Sequence, residues 1–137
     1  MYEWNPVLET GHEKIDEQHK QLISALNDIN DAWHNGKGSD EIFKTLEFLT
    51  KYTIMHFSTE EHLQVKYEYP EYNSHKQLHE DFKKAVKGLT QKLIDKGPCE
   101  DLIKEVTTTV IEWLYNHIKS KDFHMAAYIK SKGDTGK

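Results

Sequence analysis

Several common ingredients are scarce in this sequence. Of 137 residues, one is cysteine and three are proline. Cys99 alone has no partner for an internal disulfide, so the fold must rest on its core, and a reducing cytoplasm is the default expectation. So few prolines suit long helices, because an interior proline removes a hydrogen bond and clashes with the preceding turn. No apolar run approaches the ~20 residues that cross a bilayer. Met1 to Pro6 lacks the basic-then-apolar pattern of a signal peptide. Positive charge is also short: 18 Lys+Arg stand against 23 Asp+Glu, a net −5. A nucleic-acid module needs a clustered positive footprint, and this balance argues against one. Hydrophobic residues amount to 36%. Even with glycine added, this is below the ~45–50% of an average globular chain, leaving little for an exposed apolar face. One domain, with neither membrane nor nucleic acid as partner, is expected, and a monomer with it.

What the chain has in quantity is histidine, nine residues of it. Breaks are few: Asn35-Gly36-Lys37-Gly38, the stretch around Pro70, and Gly97-Pro98. Between them lie four segments too long for strands, predicting helices over about 13–35, 39–65, 72–95 and 99–119. Each carries an apolar stripe in alternating steps of three and four. The stripes run Ile15, His19, Leu22, Leu26, Ile29, Trp33; then Ile42, Leu46, Leu49, Thr53, His56, Glu60, Leu63. The third is His75, Leu78, His79, Phe82, Val86, Leu89, Leu93, and the fourth Ile103, Val106, Val110, Trp113, His117. Four amphipathic helices with short connections imply an all-α, up-down-up-down antiparallel four-helix bundle. A short N-terminal arm and a short C-terminal helical extension flank it, and residues 132–137 read as a frayed tail.

Function enters where polar residues interrupt the stripes. A buried imidazole or carboxylate without a partner costs several kcal/mol, so each needs one. His56 and Glu60 are i, i+4, as are His75 and His79, which stacks each pair on one helix face. His19 falls early on the first helix and His56 late on the second. His75 and His79 come early on the third, and His117 late on the fourth. In an antiparallel bundle, early-late-early-late puts all five at one end of the core. That is a metal site. His12 and His34 sit near helix ends, His62 should face water, and His124 lies beyond the last stripe position, so all four read as structural. Cys99 reads likewise, and Tyr67, Tyr69 and Tyr72 read as a packed loop.

Five histidines with one or two carboxylates exceed the four ligands of zinc, and calcium or magnesium would prefer oxygen cages. The only Glu-x-x-His is Glu9 to His12, outside the bundle, which disfavours the carboxylate-rich di-iron pattern. A histidine-rich, carboxylate-bridged pair of irons remains. At these residues the chain resembles the bacterial hemerythrins, from about Trp4 to Tyr128. The shared features are Trp4, Ile15-Asp16-Glu17-Gln18-His19, His56-Phe57 with Glu60-Glu61, His75-x-x-x-His79, and His117-Ile118 followed by Asp122.

The resemblance implies two irons held by His19, His56, His75, His79 and His117. Glu60, Asp122 and one oxo or hydroxo group would bridge them. It implies reversible binding of O₂, with azide and similar anions taking its place in the ferric state. Leu22, Phe57, Trp113, Leu114 and Ile118 match the family's apolar pocket. A binder rather than an enzyme is expected; the alternative is a di-iron enzyme acting on peroxide, iron or nitric oxide. One local irregularity follows. His117 and Asp122 are five apart, about 140° out of line on a straight α-helix. For both to reach one metal pair the chain between them must widen, tighten or end, as a π-bulge would allow.

Overall fold

Helix starts and stops follow local chemistry in the structure, a computed structural model that describes residues 2–137. Asn5 caps a single 3₁₀ turn at Pro6–Leu8, its side chain accepting from the Val7 N–H (3.0 Å). The carboxylate of Asp16 then gathers the Thr10 N–H, the Thr10 hydroxyl and the Gly11 N–H, at 2.9, 2.7 and 3.1 Å. That clamp lets Gly11 turn the chain at φ 87° into α1, Glu13–His34. Helices α2 (Ser39–Lys66), α3 (Tyr72–Lys96) and α4 (Glu100–His117) follow across short turns. After α4 comes a π-helical segment, Ile118–Asp122, and then α5, Phe123–Ser131. The irregularity demanded by the spacing of His117 and Asp122 lies where the spacing put it.

Each long helix packs on two neighbours: α1 on α2 and α4, and α3 on α2 and α4. With short turns between sequential helices, this ring is the antiparallel four-helix bundle. The main core runs from Leu22, Leu26 and Ile29 on α1 through Leu46, Leu49, Val86 and Leu93 to Val106, Val110 and Leu114. A second, smaller cluster of Ile15, Tyr69, Met125 and Ile129 closes the other end. The functional histidines lie between the two, as a polar layer in an otherwise apolar bundle. Among the described residues no helix is long and apolar enough to cross a membrane.

Three expectations need correction. The apolar stripe does not end at His117, because Met125, Ala126 and Ile129 of α5 are fully buried. The widened turn rotates α5 so that its i, i+4 pair Met125 and Ile129 caps the bundle. Secondly, apolar surface is not scarce: Val7, Phe48, Ile54, Met55, Val65 and Ile94 are all exposed, four of them on α2. The alternating stripes claim only part of each helix, and α2 carries apolar residues beyond its share.

Thirdly, the tail is tied down rather than frayed. The Thr135 carbonyl accepts from the Glu13 N–H (2.8 Å), and Asp134 accepts from Tyr67 Oη (2.9 Å) and from His12 Nε2 (3.1 Å). His12, buried, accepts the Ile15 N–H through Nδ1 as the N-cap of α1. Composition cannot register these long-range bonds. An Asp134→Ala substitution leaves a buried ring N–H without its acceptor, which should cost about 1–3 kcal/mol. Urea denaturation of the metal-free protein measures it, and an unchanged midpoint would show that the tail holds nothing.

Candidate metal centre

All seven polar residues named from sequence and resemblance converge on one buried layer. His19, Glu60, His79 and Asp122 are wholly inaccessible, and His56, His75 and His117 are at most 5% exposed. Two sets form within it, with ligand-type atoms mutually within 4.8 Å: Glu60, His75, His79, His117 and Asp122 in one, His19, His56, Glu60 and Asp122 in the other. Glu60 and Asp122 belong to both.

The carboxylates divide their oxygens between the sets. Glu60 Oε1 lies 3.3 Å from His75 Nε2 and 3.2 Å from His79 Nε2, whereas Oε2 lies 2.9 Å from His56 Nε2 and 3.5 Å from His19 Nε2. Asp122 repeats the pattern: Oδ1 is 3.2 Å from both His75 and His117 Nε2, and Oδ2 is 3.0 Å from His19 Nε2. Every histidine thus aims Nε2 inward, and His75 and His117 bring theirs to 3.1 Å of each other. Asp122 reaches the layer because the π-helical segment carries it round to the face that His117 occupies on α4.

These approaches are close but mostly unsatisfied. Among the described residues, His19 Nε2, His79 Nε2, Glu60 Oε2 and both Asp122 oxygens are buried without a hydrogen-bond partner. Orphans of this kind are rare in folded proteins, and here they share one centre. Nitrogen and oxygen donors converging there, with two carboxylates offering one oxygen to each side, fit a pair of metal ions.

The outer nitrogens hold the rings in place. His56 Nδ1–H donates to Gln18 Oε1 and His79 Nδ1–H to Glu61 Oε2, each at 2.8 Å. Both bonds leave Nε2 as the inward lone pair, the usual way a ligating histidine is oriented. Phe57 lies flat on the His79 ring (3.8 Å between centroids, 3° between planes), and half-buried Trp113 lies flat on His117 (4.3 Å, 13°). The sequence reading gave Gln18 and Glu61 no role. A polar residue one position from a stripe histidine, Gln18 before His19, was the available signal. His34, His62 and His124 are exposed and stand apart from the centre.

The chain as a whole has known relatives. The family model of the hemerythrin HHE cation binding domain matches residues 10–129. The chain belongs to the hemerythrin family. It is 35% identical to a myohemerythrin of Theromyzon tessulatum, covering 89% of this chain and 88% of that protein. A bacteriohemerythrin of Pseudomonas aeruginosa (strain LESB58) is 30% identical over 97% of this chain and 90% of its own. In three dimensions the chain superposes on a wild-type hemerythrin crystal structure with a TM-score of 0.83 at 27% identity, covering 94% of this chain and 98% of that one.

Electrostatics tie this hemerythrin-family centre to protons. Burial disfavours a charged His19 or His75, yet Asp122 and Glu60 outweigh it and lift both to about 9. Burial would likewise raise the two carboxyls, but the facing imidazoles hold both well below the usual range. For His56 burial prevails and lowers the pKa. Without metal, then, His19 and His75 carry protons at neutral pH. A metal needs the neutral ring, so uptake must expel them. Affinity for a divalent metal should therefore climb with pH up to about 9. Near pH 7 about two protons should be released per loaded chain. Titration calorimetry in buffers of different ionisation enthalpy measures this; a heat independent of buffer would contradict it.

Proposed function

We propose that this chain binds O₂ reversibly at a carboxylate-bridged pair of irons. The observation that carries the reading is the three-and-two division of the histidines around two shared, wholly buried carboxylates. His75, His79 and His117 would hold one iron, His19 and His56 the other, with Glu60 and Asp122 on both. An oxo or hydroxo bridge would complete the centre. Two Fe²⁺ supply the two electrons that O₂ accepts on binding.

The protein's own contribution is enclosure and orientation. Leu22, Phe57, Leu114 and Ile118 are at most 3% exposed, so water and its protons are kept away. None of the four bears an acid or base, which suits holding a ligand rather than turning it over. Membership of the hemerythrin family supports O₂ binding.

The ligand count assigns the open position. With Glu60 and Asp122 offering one oxygen to each side, His75, His79 and His117 would give one iron five protein ligands, and His19 and His56 would give the other only four. O₂, and azide in the ferric state, should bind beside His19 and His56. A crystal of the azide complex tests this, and azide beside His75, His79 and His117 would overturn the division.

Anaerobic reconstitution should load two irons per chain. Oxygenation of the di-ferrous protein should reverse on removing O₂. One zinc per chain with no uptake of iron would sink the di-iron reading. Irreversible consumption of O₂ would favour an enzyme.

A further inference from the structure

His56 is joined to the protein surface by hydrogen-bonded side chains in series. Its Nδ1–H donates to Gln18 Oε1 at 2.8 Å. At the other end of that amide, Gln18 Nε2 lies 3.3 Å from Thr59 Oγ1 and 3.6 Å from Met55 Sδ. The Thr59 hydroxyl is 3.7 Å from the same sulfur. Gln18 is itself only 7% exposed, so Met55 and Thr59 are what its amide group has in place of free water. Met55 is 41% exposed, whereas Met125 is fully buried.

We propose that Met55 is a peroxide-sensitive modification site whose oxidation is relayed through Gln18 to His56. A lone pair on Sδ attacks one oxygen of hydrogen peroxide, forming the S–O bond as the O–O bond breaks. The departing hydroxide takes up the proton from the transferred oxygen. Sulfoxide and water result; sulfur is oxidised by two electrons and peroxide reduced by two. Peroxide is the two-electron, two-proton reduction product of O₂, so a centre that gives O₂ two electrons becomes a nearby source whenever protons breach its enclosure. That source rests on the di-iron reading, whereas the oxidation of Met55 does not.

The consequence follows from acceptor strength. A thioether sulfur accepts weakly, but a sulfoxide is strongly polar, and its oxygen draws the Gln18 N–H more firmly. Hydrogen bonds in a chain polarise one another, so Gln18 Oε1 becomes a better acceptor for His56 Nδ1–H. The imidazole then presents a more basic Nε2 to its metal.

Two measurements test the proposal, and neither needs iron. Peptide mass spectrometry after dilute hydrogen peroxide should show Met55 converted at least about tenfold faster than Met125, since oxidation follows exposure. Equal rates, or Met125 first, would overturn it. In the zinc-loaded protein, the His56 Nδ1–H proton resonance should move downfield on oxidation and return after treatment with methionine sulfoxide reductase. The Met55→Leu variant, altered only at an exposed position, should fold normally and show no such movement. A resonance that stays fixed in the native chain, or moves equally in Met55→Leu, would refute the relay. Failure of the chain to take up iron would overturn the di-iron reading and leave both results standing.

Discussion

Two carboxylates with no solvent exposure, Glu60 and Asp122, dominate the physics of this bundle. Removing a carboxylate from water costs several kcal/mol even after the protein relaxes. Of the five imidazoles aimed at them, His19 and His75 each lie within 3.5 Å of both carboxylates and offset that cost. Without metal, protons on His19 and His75 supply the compensating charge. With metal, cations take their place. The centre therefore needs positive charge in either state, and exchange of protons for metal is the transition it is built to make.

Most of the remaining structure serves that layer. Helices α1 to α4 deliver six of the seven groups on regular α-helical positions, and the π-helical segment delivers the seventh. Gln18 and Glu61 fix which nitrogen of His56 and His79 faces inward. Phe57 and Trp113 lie flat on His79 and His117 and stop those rings from turning. Ile15, Tyr69, Met125 and Ile129 seal the end that the main core leaves uncovered. The polar layer interrupts the core, and the pinned tail with its buried His12 strengthens the end that is left with the smaller share of apolar contacts.

Six of the seven names were legible because a helix converts spacing into direction. His56 with Glu60, and His75 with His79, face one way at i, i+4 in any helix, and antiparallel packing fixes their level. Asp122 lay outside this logic, since no regular helix aligns it with His117. Family resemblance supplied it, and the need for a widened turn then followed from the spacing. Gln18 and Glu61 were not legible as partners of His56 and His79. Their bonds join residues 38 and 18 positions apart and depend on how neighbouring helices are rotated.

By itself, then, the sequence determined the helices, their antiparallel order and which polar groups share a level, because periodicity and short connections act locally. Tertiary structure alone decided how Glu60 and Asp122 divide their oxygens, and that Met125 and Ile129 close the bundle. It also placed Asp134 over His12 and brought Met55 to the amide of Gln18. Each of these depends on the rotation of one element against another. That rotation is set by the packing of side chains distant in the chain, which one-dimensional spacing does not encode.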